Sequence, residues 1–189
     1  LAKALEWIDI ETARLAAEGR TWLASEVQGA ITFDGVKVHG RVDRLDRMAD
    51  GRLAVVDYKT GGAPTNAMVA AGFALQLGTL GQIAEGQGFS GIAGHMGAFE
   101  YWSLAKNDKN LDTGFGRRTS PIAGEQGRTG VPFDMFLATT ADHLGEAIAR
   151  WIKGDAPFTA RLNPNLPSYA DYDQLMRLDE WQARTEDPA

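Results

Sequence analysis

Apolar side chains at Leu1, Leu5, Ile8 and Leu15, with Thr12 completing an i, i+4, i+7, i+11, i+14 spacing, predict an amphipathic helix that stops at Gly19. Trp7 lies beside this stripe. The rhythm then changes to that of strands, over about 25–33, 36–48 and 52–59. Asp34-Gly35 and Asp50-Gly51 separate them as hairpin turns, since both residue types tolerate the positive φ such turns need. Val36, Val38, Gly40 and Val42 recur at every second position, as along a half-buried strand. Leu53-Ala54-Val55-Val56 is an unbroken apolar run, which suits a central strand covered on both faces. Gly61-Gly62-Ala63-Pro64 then breaks the chain. Helical spacing returns over 66–85, with Phe73, Leu77, Leu80 and Ala84 on one stripe. Residues 92–104 read as another strand, strongest at Ala98-Phe99-Glu100-Tyr101-Trp102. Residues 105–131 are polar and glycine-rich and read as a long loop carrying Lys106, Lys109, Arg117, Arg118 and Arg128. A second long helix is expected over 133–153, its core side given by Phe136, Leu137, Leu144, Ile148, Trp151 and Ile152. A short helix is expected over 169–181. Helix, three meandering strands, helix, strand, helix predicts an α/β fold, a central mixed β-sheet flanked by helices, in a single domain 1–189.

Composition narrows the chemistry. The chain has no cysteine, so disulfides, thiolate nucleophiles, Fe–S clusters and cysteine zinc sites are excluded together. Its three histidines, His39, His95 and His143, are scattered, which argues against a histidine-rich metal centre. No apolar run approaches the ~18 residues that span a bilayer, and no signal peptide is apparent. The expected setting is reducing and cytoplasmic. Leu1 is not an initiator methionine, so the chain reads as a fragment of a longer protein. The net charge is −6. That disfavours a non-specific nucleic-acid coat, yet an enzyme acting on nucleic acid needs only local positive charge at phosphates and local negative charge for a metal.

Two segments meet that requirement. Gly40-Arg41-Val42-Asp43-Arg44-Leu45-Asp46 lies on the second expected strand, and Val56-Asp57-Tyr58-Lys59-Thr60 ends the third. Alternation puts Asp57 and Lys59 on one face and Tyr58 on the other. A short hairpin lets Asp43 come opposite Asp57. Two adjacent carboxylates repel unless a cation lies between them, and hard oxygen ligands suit Mg²⁺ or Mn²⁺. A nearby lysine can orient a water against a phosphate. The bland alternative is a surface salt bridge between Asp57 and Lys59, with Asp43 paired to Arg41 or Arg44. Asp46 has the wrong parity to join Asp43 and reads as a structural partner of Arg44, Arg47 or Arg52.

These two segments, read together, resemble the PD-(D/E)XK nucleases, in the branch of RecB- and AddB-like domains. The pattern G-R-x-D-R-x-D, a turn, and a strand ending D-Y-K-T-G stands here as Gly40 to Asp46 and Asp57 to Gly61. Gln76 matches the glutamine of a following Q-x-x-x-Y, with Leu80 in place of the tyrosine. Asn163-Pro164 and the stretch from Tyr169 to Trp181 are similar to the end of AddB-type double-strand break repair proteins. The resemblance implies a restriction-endonuclease-like core and a metal-dependent DNA exonuclease domain of a helicase–nuclease subunit, working in double-strand break repair and recombination. It implies catalytic roles for Asp43, Asp57, Lys59 and Gln76. Metal ligation falls to Asp43, Asp57 and the Tyr58 carbonyl, with Glu26 on the first strand as a further acid. Arg41, Arg44, Lys59 and Gln76 would contact DNA. The implied cofactor is Mg²⁺ or Mn²⁺ without an Fe–S cluster, and the implied partners are DNA and an AddA-like helicase–nuclease subunit. The histidine that relatives carry on the preceding helix has no counterpart, since none precedes His39. An inactive nuclease-like scaffold that binds DNA or a helicase partner is therefore the alternative.

Overall fold

The structure is a computed structural model, and it describes residues 2–123 and 130–156. In chain order the elements are α1 (Ala2–Ala17), β1 (Thr21–Phe33), β2 (Val36–Arg47), β3 (Leu53–Lys59), α2 (Asn66–Ala70), α3 (Gln76–Glu85), β4 (Met96–Lys106), β5 (Phe115–Thr119) and α4 (Phe133–Ala147). A π-helical turn, Ile148–Ile152, extends α4. The strands form one sheet in the order β1-β2-β3-β4-β5. All neighbours are antiparallel except β3 and β4, which run parallel. A parallel pair needs a crossover, and α2 with α3 supplies it. The fold is thus α/β, a five-stranded mixed sheet flanked by helices. Among the described residues no helix is long and apolar enough to cross a membrane.

Two cores cover the sheet. Leu45, Leu53, Val55, Phe99 and Tyr101 pack with Leu77, Leu80 and Ile83 of α3 and Phe136 of α4. Val56 and Trp102 pack with Trp7 and Leu15 of α1. Trp7 meets Trp102 edge-on at 5.6 Å. It also sits on Gly116 of β5, where a Cβ would lie 1.9 Å from the indole and φ is +83°. That approach requires glycine.

Beneath α1 runs a buried ionic network. Asp46, fully buried, accepts from Arg20 Nε and Arg44 Nε, each at 2.8 Å. Arg20 also donates to Glu100 at 2.8 Å, and Trp102 Nε1 donates to the other Glu100 oxygen at 2.9 Å. Arg44 reaches Thr12 on α1 and lies 4.9 Å over the Trp102 ring. Glu11 of α1 pairs with Arg118 of β5.

The structure corrects several sequence expectations. The buried side of α1 is Ala4, Trp7 and Leu15, while Leu5 is half exposed. The helix turns Glu11 and Thr12 toward charged partners, so apolar spacing misplaces part of the stripe. The expected helix over 66–85 is two helices, broken where Gly72 adopts φ +79°, and Phe73 is exposed. The first strand starts earlier, at Thr21, and the fourth later, at Met96. The region read as a long loop over 105–131 contains β5, paired antiparallel to β4 from Tyr101↔Thr119 to Lys106↔Phe115. A five-residue edge strand, Phe115-Gly116-Arg117-Arg118-Thr119, with two adjacent arginines lacks the apolar run that marks a strand. On α4 and its extension Phe136 and Ile148 are buried, whereas Ile152 is largely exposed. Tyr101 and Trp102 are both core residues. Arg128 and the helix expected over 169–181 lie outside the described residues.

Candidate active site

The site forms where β2 and β3 part. Their paired register runs from Arg47↔Leu53 to Arg44↔Val56. One step further, Asp43 and Asp57 are the next opposing positions. There the Tyr58 amide donates to Asp43 Oδ2 at 2.9 Å, so a side-chain carboxylate satisfies the N–H that leaves the ladder. β3 continues alone against β4, with Asp57↔Tyr101, Tyr58↔Trp102 and Lys59↔Ser103. Val42 and Leu45, three residues apart, enter the same core, so β2 does not alternate strictly through Asp43.

Asp57 is buried at 2% exposure. Lys59 Nζ lies 2.6 Å from its Oδ2 and donates to Gln76 Oε1 at 2.9 Å. Gln76 stands at the first position of α3, a placement set by the break at Gly72. The buried Asp57 Oδ2 is held by the Lys59 ammonium as an ion pair. The Tyr101 hydroxyl beside it is buried without a partner, and burial with the Asp57 charge pushes its ionisation up. Tyr101 is a neighbour that the sequence reading missed. Only the parallel register of β3 on β4 brings it to Asp57.

Burial pushes the Asp57 carboxyl above the usual aspartate range, and the nearby Asp43 charge adds to this; Lys59 and Gln76 oppose it. A folded-state pKa above the unfolded one means that folding favours the protonated acid. The associated stability is present below the ordinary aspartate value of 3.8 and is lost as pH rises through the folded value. At neutral pH the charge on Asp57 therefore costs stability. Asp57→Asn is expected to raise the melting temperature in chelator at pH 7, with the gain shrinking as pH falls toward 3.8. Thermal melts across that pH range check it; a variant that melts lower at pH 7 contradicts it.

The structure brings Asp43, Asp57, Lys59 and Gln76 together. It leaves out two other expected residues. Glu26 is exposed on β1, with φ +55°, and its carboxylate is held by Arg41 at 3.1 Å. Among the described residues no three His, Asp or Glu side chains assemble as a metal-holding group, so Glu26 is not part of the carboxylate pair. Arg44 is corrected as a DNA contact: it is buried under α1, committed to Asp46, Thr12 and Trp102. Asp46 is its structural partner, with Arg20 as the second. Arg41 remains exposed.

A family model for the PD-(D/E)XK nuclease superfamily matches residues 1–165. The chain belongs to the PD-(D/E)XK nuclease superfamily. No curated protein matches it. Nucleases of this superfamily typically use divalent metals such as Mg²⁺. The donor set here fits such an ion: two neighbouring carboxylates, Asp43 and the buried Asp57, close enough for the charge of one to act on the other. Mg²⁺ is commonly held by one or two carboxylates, with waters and substrate phosphate completing its shell.

Proposed function

We propose that this PD-(D/E)XK domain is a metal-dependent deoxyribonuclease, an exonuclease that hydrolyses phosphodiester bonds during double-strand break repair and recombination. The observation that carries the reading is the convergence of Asp43, Asp57 and Lys59 where β2 and β3 part. A buried carboxylate held beside another is costly without a cation, and a strand-end Lys at one of them has a catalytic use. Asp43, Asp57 and the Tyr58 carbonyl would hold Mg²⁺ or Mn²⁺, which when bound supplies Lewis-acid polarisation of the phosphate and charge stabilisation at the leaving oxygen. Asp43 is fixed for this by the Tyr58 amide. Lys59 holds the attacking water in line and takes or shares its proton. Gln76 positions Lys59 through its amide oxygen. Arg41, exposed on β2, contacts DNA together with Lys59 and Gln76.

The repair role, an AddA-like helicase–nuclease partner and a cytoplasmic setting rest on the G-R-x-D-R-x-D and D-Y-K-T-G segments and on the cysteine-free composition. A second reading, a scaffold that binds DNA or a helicase without cutting, draws on the absence of a third acid or histidine beside the carboxylate pair among the described residues. Linear DNA separates the two. Cleavage is expected in Mg²⁺ or Mn²⁺, lost on chelation and regained when metal is returned. Binding without cleavage in every metal overturns the nuclease reading.

A further inference from the structure

A row of side chains crosses the sheet from the active site to its edge. Lys59 on β3 pairs in register with Ser103 on β4, and Ser103 pairs with Arg117 on β5. Opposed residues of neighbouring strands share a face, and two strand spacings carry the row roughly 10 Å from β3 to β5. Ser103 and Arg117 line a cleft of about 440 Å³ with Thr119 and the 62–66 loop. Arg118, pointing the other way, is tied to Glu11 and Glu100, whereas Arg117 is exposed and enters no ion pair among the described residues.

The opposite wall is bare backbone. Gly61 and Gly62 are exposed, and a Cβ at either would meet nothing within 4 Å. Neither adopts a positive φ. Neither packing nor backbone geometry therefore calls for glycine here; what glycine adds is an uncovered main chain. The amides of Gly61, Gly62 and Ala63 donate to no other backbone group among the described residues. Ser103 Oγ donates to the Gly61 carbonyl at 2.7 Å, which fixes the loop beside the arginine.

We propose that this cleft is an anion subsite that holds a phosphodiester flanking the one cleaved, with Arg117 as its charge and the Gly62-Ala63 main chain as its second wall. The inference rests on the nuclease reading for its substrate and extends it from the catalytic residues to the path of the strand. An arginine supplies a forked, permanently charged donor for phosphate, and free amides supply the rest. The site carries no base readout, so it adds affinity without sequence preference.

Arg117→Ala and Gly62→Val test it, neither residue being in the catalytic set. Both sites are open, so both variants are expected to melt with the parent. Kd for a labelled single-stranded oligonucleotide, measured in the Asp57→Asn background, and KM for its cleavage in Mg²⁺ are both expected to rise roughly tenfold, as for loss of one charge-assisted hydrogen bond. kcat is expected to stay unchanged, and Arg117→Ala should reduce the salt slope of binding by about one. Arg117→Lys restores the slope and part of the affinity. Parent-like Kd, KM and slope in both variants, with the parent cutting, overturn the subsite and leave the nuclease reading standing. Binding that Arg117→Ala weakens, without any cleavage by the parent, supports the subsite and overturns the nuclease reading. No binding by the parent overturns both.

Discussion

Lys59→Ala lowers kcat for DNA cleavage by roughly 10²–10⁴-fold, the usual loss when a positioned proton-transfer group is removed. The lysine is the only cation within contact of Asp57 among the described residues, at 2.6 Å, and Gln76 holds it from the far side at 2.9 Å. It is partly exposed, so its removal leaves the fold intact and the carboxylates in place. Metal binding should therefore be retained, and the loss of one DNA contact should weaken affinity far less than kcat falls. Gln76→Ala acts through Lys59 and should cost less. Single-turnover cleavage with separate binding measurements checks this. A Lys59→Ala enzyme with near-parental kcat would remove Lys59 from the mechanism.

Asp46→Ala is expected to destabilise the domain by about 3–5 kcal/mol, the cost of leaving buried charges without their partner. Asp46 is fully buried and accepts from both Arg20 and Arg44. Its loss leaves the buried Arg44 without its acid and Arg20 with Glu100 alone, and Arg20 already has a nitrogen without a partner. Against a typical total of about 5–15 kcal/mol, that is a large fraction. At about 2–4 °C per kcal/mol for a chain of this size, the melting temperature should fall by roughly 6–20 °C. The network lies under α1, on the face away from Lys59, so activity per folded molecule at low temperature should be retained. A melting change of only a degree or two would show that the interior of the network is solvated and its charges already screened.

The same contrast shows what the residues disclose by themselves. Hairpin turns at Asp34-Gly35 and Asp50-Gly51, with the apolar run 53–56, are enough to place β2 beside β3 and Asp43 opposite Asp57. That opposition depends on the short hairpin at Asp50-Gly51 and the register it sets, even though β2 does not alternate strictly through Asp43. Arg44 is misplaced at the DNA because local charge counting ignores which face a side chain takes; its acid, Asp46, is two residues away and legible, but Thr12 and the Trp102 ring that cover it come from distant segments. The expected α1 stripe holds at Ile8, Thr12 and Leu15 but not at Leu5, where Ala4 and Trp7 are buried instead, and part of the buried side is polar, with Glu11 and Thr12 engaging Arg118 and Arg44. β5 was hidden because an edge strand need not be apolar. Phe115, Arg117 and Thr119 share one face of it without an apolar pattern, and only the register of that strand places Arg117 in the cleft. Gln76 was visible as a residue, but its position at a helix start depends on the break at Gly72.

The decisive measurement is cleavage of linear DNA in Mg²⁺ by the parent chain beside Asp57→Asn. The variant keeps the shape of the side chain and is expected to be folded and at least as stable, so a loss of activity cannot be ascribed to unfolding. The account predicts cutting by the parent and none by Asp57→Asn. Equal cutting by both would contradict it, because the chemistry would then lie somewhere other than where β2 and β3 part.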